Sequence, residues 1–587
     1  MADLPNNQNQ PEKPRRKELS MELRLLIAFV LMGIVLFVTP YIYKPPPATK
    51  KAPPASTPPA AQVVKEPAPK KPEAPPAVPA APPAQIAAGK EEIFTVDTDL
   101  YTVKLTNTGA VVQSWVLKKF LDSTGKPLEL VNVAAQSKVP PPFAIAYKDG
   151  APATQLNSAK FKATPARDGL GVDYEYSDGK THCRKSFHFT KKTYLSQVTS
   201  DLTENGTGRP HLLEWRGGFG DFTALNRQTV QQSVFYDPFQ TTTFLGIFPT
   251  GQGELKVQNA AAAKNGTVTN TGTFTFAGLE DTFFAALLLP QDKATLEVQT
   301  YKDDLLYAKD AKEEPFVGAG VGGDSLNQFS LFVGPKDIDV LKNVDPRLSQ
   351  LIDWGWFWFI AKPLFLGMHW LTDHATHNYG WSIVVITVII NIILLPLRFT
   401  SMRSAKKMQA LQPQIQAINA KYKNVGLRDP KKAEQNQEVM DLYKKHGVNP
   451  MGGCLPMLPQ IPIMYAFYKV LNVTIELRGA TWLWVTDLSQ PETLPIHVLP
   501  IVMIITQFLM QKMTPNPTAD PAQAKMMMFM PLMFGFFLYN FSSGLVLYWL
   551  TSNLVGIVQQ WVMNRATPAP VVAAPPKPGP KKKGSKG

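Results

Sequence analysis

Cysteine is nearly absent. The 587 residues hold two, Cys183 and Cys454. The topology read below puts them on opposite sides of a membrane, which excludes a disulfide framework. So few thiols also argue against a structural zinc cluster, and no metal site is assigned. Histidine is scarce, eight in all. The groupings "THCRKSFH" and "HWLTDHATH" read as interface or loop histidines rather than ligands. Catalytic signatures are missing as well. "SDGKTH" ends like a phosphate loop, but Tyr174 stands where its first glycine is required, so nothing points to ATP. No Ser/His/Asp set, carboxylate pair or dinucleotide fingerprint emerges. The chain is therefore read as a non-enzyme without a cofactor.

Local contrast is abundant. A mean hydropathy of −0.10 averages over very different segments. Residues 1–24 form a polar tail, and 25–43 an apolar run long enough to cross a bilayer, at about 1.5 Å per residue. No small-residue cleavage site follows it, so it reads as an uncleaved anchor. The linker 44–90 collapses to Pro, Ala and Lys, with fifteen prolines between Pro45 and Ala88. Such a stretch builds no core and forms an extended spacer. Residues 91–340 alternate polar and apolar in Val-, Thr-, Tyr- and Phe-rich runs punctuated by Gly, Asn, Asp and Pro. They predict a large all-β sandwich.

The remainder predicts helices. The segment 345–371 carries Trp354, Trp356, Trp358, Trp370 and Lys362, and reads as an amphipathic helix on the membrane surface. Apolar spans are expected at 381–397, 451–473, 495–511, 527–541 and 545–563. The segment 398–450 holds eleven Lys and Arg against four acids, whereas 474–494 holds only Arg478. Positive charge marks the cytoplasmic side. Hence 1–24, 398–450, 512–526 and 564–587 are assigned to the cytoplasm, and the β domain and 474–494 to the periplasm. The fold class is a multi-domain membrane protein: a six-span α-helical bundle with a periplasmic β-sandwich. Spans 381–397 and 527–541 reach only roughly 25 and 22 Å, which implies a locally thinned bilayer. Met526, Met527, Met528, Met530 and Met533 give the fifth span an adaptable surface.

Two cytoplasmic features stand out. Met408, Leu411, Ile415, Ile418, Tyr422 and Val425 repeat at 3-4-3-4-3, a coiled-coil seam that predicts a projecting helical hairpin. The tail "KPGPKKKGSKG", with Lys577, Lys581, Lys582, Lys583 and Lys586, suits a ribosome contact. The net charge of +14 fits anionic membrane lipid or RNA.

Polar residues inside the spans carry the functional argument. Thr387, Asn391 and Arg398 share one helix face; Gln460, Thr506, Gln507, Ser552, Asn553, Gln559 and Gln560 come from other spans. Scattered interhelical hydrogen bonds, worth about 0.6–2 kcal/mol each, would explain some of them. They do not explain the placement at mid-membrane or in the cytoplasmic half. That asymmetry predicts a wet groove open to the cytoplasm and sealed outside.

The segments "NYGWSIVVIT", "LQPQIQAI", "VNPMGGCLPMLPQIPI", "VTIELRGA" and "SGLVLYWLTSNLVGIVQQ" resemble the YidC/Oxa/Alb family of membrane protein insertases, most of all its Gram-negative bacterial branch. The resemblance implies five conserved spans, an N-terminal anchor, and a β-supersandwich for 91–340 similar to sugar-mutarotase folds. It implies nascent membrane proteins, the Sec translocon and the ribosome as partners. It also marks two departures. Asn391 stands where much of the family has an arginine, and Tyr548 with Trp549 replaces a tyrosine pair. Attraction of acidic substrate tails is therefore expected to be weaker here, with a hydrated groove retained. The expected function is ATP-independent insertion and chaperoning of inner-membrane proteins, alone or with the translocon. A small-solute transporter is the alternative, opposed by the apolar outer half and the lack of inverted repeats. A tethered periplasmic sugar-binding enzyme would need more than His182, His188 and His211.

Overall fold

The computed structural model describes residues 85–566, apart from 149–152, 224–230, 245–247, 292–294, 307–312, 423–430, 449–456, 515–528, 530, 534 and 537. The expected anchor 25–43, nearly all of the linker, Cys454, Val425, most of 512–526 and the five tail lysines lie outside the described residues.

The β region folds as three antiparallel sheets. The largest centres on Phe284–Pro290, Leu326–Pro335, Leu195–Glu204 and Thr181–His188, which are neighbours in that order. A five-stranded sheet holds Leu296–Leu306, Glu313–Gly322 and His211–Trp215. The two sheets face each other across a small internal cavity lined from one side by Leu279, Ala286 and Leu331, and from the other by Leu213, Glu214 and Val321. Alternation decides which face is buried: Cys183, Lys185 and Phe187 point inward from one strand, and Arg184 and His188 outward. Lys185 is fully buried yet satisfied, its Nζ donating to the carbonyls of Gly109, Ala110 and Phe143 at 2.9, 3.2 and 2.8 Å. The domain begins before 91, because Ile86 bridges to Ser177 and the Ala88 N–H donates to Lys160 O.

The expected single helix over 345–371 is two pieces. Asp345 caps a 3₁₀ turn, Pro346–Leu351. The chain then bends through Gly355 (φ +69°), and a helix forms only from Trp358. Helices are numbered α1 (Ile338–Val344), α2 (Trp358–Leu371), α3 (Tyr379–Ile393), α4 (Leu395–Ala410), α5 (Gln412–Lys421), α6 (Lys431–Lys445), α7 (Met457–Val473), α8 (Val498–Met513) and α9 (Ser543–Ala566). The span expected at 381–397 ends at Ile393; Pro396, with no N–H to donate, opens α4. The seam residues also do not share one helix. Met408 lies on α4, Leu411 interrupts it, and Pro413 opens α5 for the same reason. Met408, Leu411, Ile415 and Tyr422 are buried, and Ile418 is half-buried.

Pro413–His446 forms a compact unit of its own. In it α5 and α6 meet through Gln435 Nε2 donating to Asn419 Oδ1 and Tyr422 Oη donating to Glu438. In the larger unit, α8 packs along α9, α9 against α3, and α2 against α7. Among the described residues no single helix is both long and apolar enough to cross a membrane. The pair Trp358–Thr376 and Tyr379–Ile393, bent by 116°, meets both criteria together. Six spans therefore remain an expectation.

Candidate functional site

Helix α3 starts cleanly because Asn378 accepts from the Trp381 N–H. Thr387 then bonds back to Ile383 O at 2.6 Å. Asn391, one turn on and 3% exposed, donates its Nδ2 to Thr387 O at 2.8 Å. Its Oδ1 is buried and has no hydrogen-bond partner among the described residues. A buried unsatisfied carbonyl costs about 1–3 kcal/mol, so this position keeps an unused acceptor.

Arg398 is the centre of the first cluster. Its Nη1 donates to Gln559 Oε1 at 3.0 Å and its Nη2 to Gln460 Oε1 at 3.5 Å. Gln460 in turn donates to Tyr548 Oη at 3.1 Å. Gln559 Nε2 donates to the backbone carbonyl of Asn391 at 3.1 Å. One glutamine thus touches both the Asn391 backbone and the Arg398 guanidinium seven residues later. Tyr548 is fixed by stacking on Phe467, with ring centroids 4.1 Å apart. Gly556 of α9 gives Met510 its room: a Cβ there would lie 2.7 Å from Met510 Sδ, while Arg398 Nη1, 3.6 Å away, would be in ordinary contact. Among the described residues no carboxylate pairs with Arg398.

A second cluster joins α8 to α9. Asn553 Nδ2 donates to Met503 O at 3.3 Å and to Thr506 Oγ1 at 3.4 Å. Trp549 Nε1 donates to Gln507 Oε1 at 3.2 Å. Ser552 is half-buried and bonded to neither cluster. Of the residues singled out by sequence, Asn391, Arg398 and Gln460 meet in the first cluster and Thr506, Gln507, Trp549 and Asn553 in the second. Thr387 contributes through its backbone carbonyl. Tyr548, noted in sequence only as half of an altered pair, also joins the first cluster, as does Gln559, which follows Ser552 by seven, the spacing that repeats a helix face.

The opposite end of the helical part is tied to the β domain. Lys469 of α7 pairs with Asp353 at 2.5 Å. Arg478 reaches Leu121 O at 2.9 Å and Asp221 at 2.5 Å, with its guanidinium over the rings of Phe283 and Phe284. Both side chains of that pair are less than a tenth exposed.

Comparison with known proteins follows the same division. The family described as 60Kd inner membrane protein matches residues 370–570, and the YidC periplasmic domain family matches 93–366. A membrane protein insertase YidC of Geotalea daltonii is 34% identical over 94% of this chain and 100% of its own length. That of Citrifermentans bemidjiense is 36% identical over 93% and 99%. The Campylobacter jejuni protein of the same name reaches 46% over 44% of this chain and 47% of its own. A solved active YidC insertase aligns over 92% of this chain and 99% of that one, at 17% identity and a TM-score of 0.34.

Proposed function

The chain belongs to the YidC family of membrane protein insertases, with an inner-membrane helical part and a periplasmic β domain, and from that premise we propose that insertion runs through a hydrophilic groove centred on Arg398. The carrying observation is a guanidinium that has no carboxylate partner among the described residues. It has five N–H donors, and the protein meets them with two amide oxygens. A half-buried cation without a carboxylate draws water, or an acceptor from a substrate, to itself. The polar tail of a nascent membrane protein enters from the cytoplasm and exchanges its water for this site. Its apolar segment then slides past α3 toward lipid. Transfer of that segment supplies the drive, at about 25 cal/mol per Å², so no nucleotide is consumed.

The groove is lined by Thr387, Asn391, Arg398, Gln460, Thr506, Gln507, Trp549, Ser552 and Asn553, with Tyr548 and Gln559 added to them. The unit 413–446 and the basic tail receive the ribosome, and the Sec translocon shares larger substrates. The test is reconstitution of the purified chain in liposomes with a short substrate and no nucleotide. Insertion no better than into empty liposomes would overturn the mechanism.

A further inference from the structure

Helices α8 and α9 end in the same order of side chains. On α8 the exposed Ile505 and Leu509 lead to Phe508 and then Lys512; on α9 the exposed Val558 and Val562 lead to Trp561 and then Arg565. Each cation folds back over the aromatic ring four residues before it. Lys512 Nζ lies 4.9 Å from the Phe508 centroid and Arg565 Cζ 3.8 Å from that of Trp561. The two helix ends are clamped together, because Gln560 Nε2 and Asn564 Nδ2 both donate to Met513 O, at 3.1 and 3.2 Å. Lys512 and Arg565 are each one residue from that clamp. No Asp or Glu occurs in α4, α8 or α9, and among the described residues neither cation has a carboxylate partner.

We propose that Lys512 and Arg565 form a binding site for the phosphate of an anionic phospholipid. The order of the surface argues for lipid rather than a soluble anion. Apolar side chains meet the acyl region, the rings of Phe508 and Trp561 lie at the glycerol level, and the cations meet the phosphate. An ammonium and a guanidinium at two clamped helix ends supply both a point charge and a planar fork for its oxygens. The inference rests on the cytoplasmic placement of these helix ends, and it is tested without reading insertion.

The full chain, delipidated in detergent, is titrated with phosphatidylglycerol or phosphatidylcholine and read by native mass spectrometry. Phosphatidylglycerol should be retained about tenfold better, and Lys512→Gln with Arg565→Gln should remove about that tenfold, as expected when charge-assisted bonds are lost. The charge-preserving pair Lys512→Arg with Arg565→Lys should keep most of it and so serves as the folding control. Equal retention of both lipids, or full retention by the Gln pair, overturns the proposal. So does displacement of phosphatidylglycerol by equimolar inorganic phosphate, which would mark a free-anion site. Loss of ribosome sedimentation with unchanged lipid retention would assign the two cations to RNA and also overturns it.

Discussion

Replacing Arg398 by Gln removes the cation while leaving an amide that still reaches Gln460 and Gln559. A carboxylate in a substrate tail about 6 Å from the guanidinium, at an effective dielectric near 20, is attracted by about 3 kcal/mol, or a factor of about 100 in occupancy. Tail entropy and partial screening reduce this, so a loss of about 10- to 100-fold is expected for acidic tails. A neutral tail loses only one charge-assisted hydrogen bond, about 1.5–3 kcal/mol at most, and water replaces it cheaply. The assay is insertion into liposomes of two short substrates that differ only in two tail residues, Asp in one and Asn in the other. Wild type should favour the acidic tail, and Arg398→Gln should erase the preference. Adding Asn391→Arg to that variant should restore it, because Gln559 bonds to both positions. If Arg398→Gln keeps the wild-type preference, the groove has no working cation at this place. If the second arginine fails to restore it while the variant stays folded, the two positions are not equivalent.

Four further outcomes follow. Arg478→Met should leave Asp221 charged and nearly fully buried, a loss of about 3–5 kcal/mol at the junction; faster proteolysis between the β domain and α2, relieved by adding Asp221→Asn, would show it, and unchanged proteolysis would refute it. Burial pushes Glu214 up to about 7. The folded state therefore holds its proton longer than the unfolded state, and the stability cost grows as pH rises from about 4.5 to 7. Glu214→Gln should raise the urea midpoint more at pH 8 than at pH 5, and an equal gain at both would refute it. Burial likewise pushes His211 down to about 4, so its contribution is full above about pH 6.5 and is lost as pH falls toward 4; His211→Gln should flatten that acid limb. Deleting 413–446 across a short linker should preserve the membrane helices but reduce insertion from ribosome-bound chains, and normal insertion would remove the unit from the mechanism.

The β region was legible because period-two alternation and turn residues act locally. Val198, Ser200 and Leu202 point inward as their spacing requires. Its partners across the sheets were not legible, since pairing joins residues more than a hundred positions apart, such as Leu326 and Asp201. Helix existence was readable from apolar runs, and helix ends were less so. Pro396 and Pro413 both stand in apolar or seam patterns that favour continuity, and the missing N–H wins in each case. Arg478 was visible only as a lone positive charge in an outer loop. Its place against Asp221, Leu121 O and two rings depends on folds 257 and 357 residues distant in sequence.

Read from the resemblance, Asn391 in place of an arginine suggested a groove that works by polarity without a fixed cation. The geometry offers another account. Asn391 lies at the end of α3 and Arg398 in the first turn of α4, and the two positions are joined by one side chain. On the topology expected from charge, a guanidinium at 398 would lie nearer the cytoplasmic water than one at 391 and would need less desolvation. Gln559 spans the gap, with its carbonyl oxygen on Arg398 and its amide on the Asn391 carbonyl. The asparagine then supplies an acceptor, Oδ1, that no described residue uses. A cation at the mouth and an amide further in would pull a polar tail toward the groove without trapping it at the bottom. On the proposed mechanism that gradient, rather than a charge at one named position, is the property the groove has to keep.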